Sequence, residues 1–298
     1  MKKTWPLEFI VLGAVWGASF LLTYIASPEF GVWATAAMRV IVAAIVLLVL
    51  LQTTGLMDNL KQHWRATFLI GLVNSAIPFA MFAYAVRHIN TSLIAILNAT
   101  VPLFGAVIAW LWLKDKLSLT RVVGLGLGFL GIALLAGESA NFKEGGSGWA
   151  LMACLAAAFC YGLAGSLTKR YLGQVHPLAS AAGSQVGASL ALLLPCVLTW
   201  PSVMPSAPAW AAVVASGVIC TALAYILYFR IIVQVGPAKS LTVTFLIPVF
   251  GVLWGHLFLN ETVGWHTLAG AAIVITGTML VTGFSLNSLR AATAPVKE

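Results

Sequence analysis

The tetrapeptide Pro102-Leu103-Phe104-Gly105 returns 146 residues later as Pro248-Val249-Phe250-Gly251. The same displacement carries Gly71 to Gly217, Leu113 to Leu259, Asp115 to Glu261, Gly124 to Gly270, Gly131 to Gly277 and Gly137 to Gly283. A register kept over that length identifies two copies of one unit. The residues between the matches say what the unit is. Of the 298 residues, 61% are hydrophobic and 8% charged, where a soluble domain has roughly 25% charged. Apolar runs at 9–26, 40–51, 122–137 and 178–198 approach or reach the roughly 20 residues that cross a bilayer core as helix. The expected class is an all-α integral membrane protein.

Punctuation by Pro, Gly and charge predicts ten spans, at 6–26, 31–52, 66–88, 92–113, 119–137, 147–169, 177–200, 208–233, 237–259 and 265–284. Lys2 and Lys3 precede a run that is long for a cleaved export signal and has no clear small-x-small site, so it is read as the first span. With the N-terminus inside, thirteen basic residues fall on cytoplasmic segments: Lys2, Lys3, Lys61, Arg65, Lys114, Lys116, Arg121, Lys169, Arg170, Arg230, Lys239, Arg290 and Lys297. Only Arg87 and Lys143 fall outside. That bias predicts an inner, cytoplasmic-membrane protein with both termini in the cytoplasm. It also accounts for the net charge of +8 without a nucleic-acid partner, since the charges are scattered over many loops.

The domain expectation is a first five-helix repeat at 1–140, a second at 141–286 and a cytoplasmic tail at 287–298. An odd number of spans per copy makes the second enter the membrane from the opposite side. Inverted repeats of this kind allow alternating access, because exchanging the conformations of the halves turns an inward-open state into an outward-open one.

The paired blocks Trp112-Leu113-Lys114-Asp115-Lys116-Leu117 with Gly124 and Gly131, and Phe258-Leu259-Asn260-Glu261-Thr262-Val263 with Gly270 and Gly277, resemble the drug/metabolite transporter superfamily, in its ten-helix EamA-type branch. Arg39 resembles an arginine often found there, whereas Asp115 stands where a Glu is more usual. The resemblance covers nearly the whole chain. It implies a secondary transporter of amino acids, drugs or other metabolites, and leaves the cargo open.

Polar and aromatic residues at mid-span are costly in hydrocarbon and face the bundle interior or a wet cavity. The candidate substrate-binding residues are therefore Trp16, Ser19, Arg39, Asn74, Ser75, Tyr84 and Asn98 in the first copy. The second copy offers Tyr161, Gln185, Thr221, Tyr225, Tyr228 and Thr244. The 146-residue shift matches Arg39 to Gln185, Ser75 to Thr221 and Asn98 to Thr244. Arg39 is the one basic residue deep inside a span. Its guanidinium either clamps a carboxylate or phosphate or is a staple held by carbonyls or by Glu29, and the staple is the favoured reading. Trp16, Tyr161, Tyr225 and Tyr228 either wall a cavity, where they would stack on cargo or hold a quaternary amine, or pack in the core. Pro102 and Pro248, at matching positions, are read as hinges.

Asp115 and Glu261 are expected to cap the starts of the fifth and tenth spans. Glu8, His88 and His256 read as interface residues ahead of a proton relay. Without a phosphate-binding glycine loop or paired Cys and His spacing, neither a nucleotide, a metal nor another cofactor is expected. The four cysteines read as reduced core residues. The expectation is a secondary transporter, not an enzyme, that carries zwitterionic, cationic or neutral amphiphiles such as amino acids, with export favoured over import. Its expected partners are a small-molecule substrate and membrane lipid, and it works as one copy or a homodimer. An intramembrane enzyme or non-transporting receptor is the alternative.

Overall fold

The computed structural model describes residues 5–137, 141–142, 146–236 and 240–283. Among these, all regular structure is helical, and nine helices are long and apolar enough to cross a membrane: α1 (Trp5–Thr53), α2 (Met57–Ala85), α3 (Thr91–Leu113), α4 (Leu119–Gly137), α5 (Ser147–Tyr171), α6 (Pro177–Leu198), α7 (Ala207–Val235), α8 (Thr242–Leu259) and α9 (Trp265–Thr282).

The first two predicted spans are run together in α1. Its 49 residues would measure roughly 74 Å if straight. They are instead two arms meeting at Gly31, whose φ of 75° and ψ of 176° are non-helical. That left-handed backbone suits a residue without Cβ. The corresponding arms in the second copy, α5 and α6, are separated by residues 172–176.

Other boundaries shift for physical reasons. The predicted third span begins at Met57 rather than 66, because the polar Asp58–Lys61 turn is itself helical before the chain bends at His63 (φ −117°, ψ 15°). The predicted fourth span is broken: one segment ends at Asn98 and the next starts at Val101, with Pro102 in its first turn. Proline fits there because no intrahelical N–H is required of it. Pro248 likewise lies near the start of an α segment that follows a tighter 3₁₀ stretch at Leu241–Phe245. The predicted tail and Lys143 lie outside the described residues.

The repeat is visible in local backbone. Lys114 and Asn260, 146 residues apart, both end their helices in the left-handed conformation (φ 57° and 53°). Both long helices α2 and α7 contain a π-helical turn, at Leu72–Ala76 and Val218–Leu223, again 146 residues apart. The α4/α9 pairing, among the most extensive in the fold, joins the two copies. A Cβ on Gly124 would meet the Gly277 carbonyl at 2.7 Å, and one on Gly131 would meet the Gly270 carbonyl at 3.1 Å. The Gly13/Gly17 and Gly183/Gly187 pairs are also close-approach points, against Leu246 and Phe250, and against Thr67 and Phe68.

The two carboxylates at the matching loops do not cap their own spans. Glu261 reaches into the other copy and accepts four bonds at the start of α3, from the N–H and hydroxyl of Thr91 (2.7 and 3.0 Å) and of Ser92 (3.0 and 2.5 Å). A carboxylate at a helix N-terminus satisfies orphan donors and complements the dipole. Asp115 instead pairs with Lys169 at 3.2 Å in an exposed ion pair.

Candidate functional site

The two π turns set the site. A π turn fits an extra residue into a helix and is common at functional positions. In α7 the widened turn lets the Thr221 hydroxyl donate to the Ser216 carbonyl at 3.0 Å. The lone pairs of Thr221 Oγ1 then receive Arg39 Nε at 3.1 Å. Arg39 Nη1 donates to Ser19 Oγ at 2.7 Å, and the Phe79 ring lies 3.8 Å from the guanidinium carbon. Arg39 is 9% exposed.

The matching positions repeat this bridge with the copies exchanged. Gln185, fully buried, donates through Nε2 to Ser75 Oγ at 2.9 Å, in the π turn of α2, and to Ser184 Oγ at 3.4 Å. Thus Arg39 of the first copy holds the π turn of the second, and Gln185 of the second holds the π turn of the first. Asn74 Nδ2 donates to the Tyr225 hydroxyl at 3.0 Å. Tyr225 occupies the position matched to Phe79. The Gln185 carbonyl oxygen, Oε1, is buried with no partner.

Of the predicted residues, seven are therefore hydrogen-bonded to one another in three sets: Ser19, Arg39 and Thr221; Gln185 and Ser75; and Asn74 and Tyr225. Tyr161 packs against the apolar cluster that contains Phe79 and stacks on Phe82 with centroids 6.1 Å apart. Trp16 and Tyr228 meet each other at 5.4 Å. Asn98 is half-buried with its Oδ1 unpartnered, and Thr244 is half-buried in the 3₁₀ stretch. Tyr84 is not brought into the bonded group; its ring contact is His88, at 4.6 Å. Glu29 is not the partner of Arg39, because its carboxylate accepts from the N–H and hydroxyl of Ser206 in the connection before α7.

Two features escaped the sequence reading. Phe79 was hidden as one apolar residue among many, although the 146-residue shift from Tyr225 points to it. Glu8, read as an interface residue, ties the start of α1 to the end of α7, accepting from Arg230 at 2.8 Å and from Gln234 at 2.8 Å. At the matching positions stand Cys154, Tyr84 and His88, so this tie has no ionic counterpart at the other end of the bundle.

Residues 4–137 and 148–283 each match the EamA-like transporter family. An uncharacterized transporter, YvbV, of Bacillus subtilis (strain 168) is 23% identical over 92% of this chain and 90% of its own length. A protein of Streptantibioticus cattleyicolor named "Probable terminal-alkyne amino-acid exporter" is 22% identical over 99% of this chain and 98% of its own. A solved structure, titled "Crystal structure of protein", superposes with a TM-score of 0.66 at 17% identity, covering 99% of this chain and all of that one. That likeness speaks for the fold.

Proposed function

Because the chain belongs to the EamA-like transporter family, a membrane transporter lineage, we propose that it moves small organic metabolites, amino acids or related amphiphiles, across the cytoplasmic membrane by alternating access. Export is the favoured direction, in line with the name of the Streptantibioticus cattleyicolor relative. In this reading the two arms of α1 are separate passes, which brings the total to ten, five to each inverted repeat, with both termini in the cytoplasm.

The observation that carries the proposal is the exchanged pair of bridges, Arg39 to Thr221 and Gln185 to Ser75. A polar group within a span needs a partner or a wet surface. Here four such groups sit where each copy grips the other, so that a rocking motion of the repeats changes their geometry. Ser19, Asn74, Tyr161 and Tyr225 surround them as cargo contacts. Trp16, Tyr228, Asn98 and Thr244 extend the path along its length. Pro102 and Pro248 are the bends at which the α3 and α8 segments pivot.

Orientation rests on charge and on loop clustering. His176 N–H donates to Asn59, Lys169 pairs with Asp115, and Arg170 lies over Trp112, which gathers the loops after α1, α3 and α5 at one end. That end carries most of the basic residues and is the cytoplasmic one.

The test is flux. Purified protein in liposomes is loaded with amino acids, nucleosides and sugars in turn, after a thermal-unfolding screen has picked the class that raises the midpoint. Saturable, protein-dependent efflux of one class supports the proposal. Binding without flux of any bound compound contradicts it.

A further inference from the structure

We infer that the cargo carries an anionic group, a carboxylate by size, which serves as the missing counter-ion of Arg39, and that purely cationic amines are rejected at this site. The inference rests on the transporter reading for its word cargo, but its test does not depend on transport.

The charge balance of the described chain leads to it. The sequence has eight acidic residues, and five are described. Glu8 is engaged by Arg230 and Gln234, Glu29 by Ser206, Asp58 by Lys61, Asp115 by Lys169 and Glu261 by Thr91 and Ser92. Glu138, Glu144 and Glu298 lie outside the described residues. Among the described residues, then, no carboxylate reaches Arg39. Its only polar partners there are two neutral hydroxyls.

A buried charge without a counter-charge is costly, and burial is tolerated where a partner arrives. The guanidinium has five N–H donors in a planar fork. Nε and Nη1 are engaged by Thr221 and Ser19, and the ring of Phe79 covers one face. The second terminal nitrogen, Nη2, makes no hydrogen bond to a described residue, which leaves donors at the end of the fork for a carboxylate. The hydroxyls hold the fork still while leaving its charge intact, which an ion pair would not do. The matching residue in the other copy, Gln185, is uncharged, so the region between the bridges is positive overall. A quaternary or primary amine without a carboxylate would meet a like charge at low dielectric, and Tyr225 and Tyr161 offer no compensating anion.

The experiment uses the full-length detergent-purified protein in low-chloride buffer and follows thermal unfolding. The probes are a carboxylate series from acetate through 4-methylpentanoate to leucine and phenylalanine, the amine 3-methylbutylamine, and chloride. The expected result is a concentration-dependent rise in midpoint with one or more carboxylates and none with the amine. In Arg39→Gln the half-saturating concentration is roughly tenfold higher or more. Should Arg39→Gln fail to fold, Arg39→Lys is read instead: it keeps the charge but loses the fork, so the carboxylate response weakens several-fold and the amine stays silent. An amine shift equal to that of the carboxylates, or an unchanged carboxylate response in the Arg39 variant, overturns the inference. So does silence of every anion, which would mean the charge is balanced within the chain. Stabilisation by chloride alone overturns the cargo assignment in favour of a resident ion. Failure here with flux intact leaves the transporter reading standing, and anion binding without flux does the reverse.

Discussion

The two bridges at the centre of the molecule occupy matched backbone positions and carry different chemistry. Arg39 and Gln185 stand 146 residues apart and each reaches a hydroxyl on a π turn of the opposite copy. One bridge is charged, 9% exposed and backed by a second hydroxyl from Ser19. The other is neutral and fully buried, and its carbonyl has no partner. Gly165 takes the place matched to Ser19. The same contrast recurs at the loops, where Glu261 caps a helix of the other copy while Asp115 makes an exposed ion pair. Backbone devices such as π turns, left-handed helix ends and glycine contacts obey the symmetry, whereas side-chain chemistry departs from it. The symmetric part supports a rocking scaffold, and the asymmetric part gives the path a chemical direction.

The comparison can be broken at several places, beginning with the symmetric scaffold. A Cβ on Gly277 would sit 2.5 Å from the Gly128 nitrogen and 2.6 Å from the Gly124 carbonyl, all backbone that cannot step aside. Gly277→Leu should cost at least about 3 kcal/mol and yield little folded protein by size-exclusion chromatography. Next comes the asymmetric loop pair. Glu261→Ala removes an acceptor of four bonds and should cost about 3 kcal/mol, whereas Asp115→Ala should cost under about 1 kcal/mol, because its pair with Lys169 is exposed. Unfolding midpoints of the two variants side by side check this, and equal losses would erase the distinction. Gln185→Leu removes a neutral bond and an unpartnered carbonyl together and should change stability by about 1 kcal/mol or less. Its effect on flux should be smaller than that of Arg39→Gln. Tyr225→Phe, which loses only the hydroxyl bonded to Asn74, should have the smallest effect on stability, about 1 kcal/mol at most.

Much of the fold was legible because hydrocarbon imposes a simple code. Span length, charge bias and the 146-residue register located the helical stretches, and the described helices fall close to them. What the code missed was backbone detail. Gly31 alone breaks a run that hydropathy shows as two spans, and nothing in composition distinguishes the π turns from ordinary helix. Within the site, polarity at mid-span picked out Arg39, Gln185, Ser75 and Thr221, because burying such groups requires partners. Which group pairs with which depended on how the copies interlock. Matching Arg39 to Gln185 by register suggested equivalence, whereas in space each faces the hydroxyl of the other copy. Glu261 misled for the same reason, since capping logic assigned it to its own helix and the nearest orphan N–H groups belonged to the other half.

The most direct test of a single site served from both faces is the reactivity of Ser19→Cys, next to Arg39, in a background with Cys154, Cys160, Cys196 and Cys220 replaced. A membrane-impermeant maleimide is applied to one face of sealed vesicles at a time. The account predicts labelling from either face, slowed in both cases by the compound that the thermal screen identifies. Labelling from one face only, or labelling that the compound leaves untouched, would contradict it.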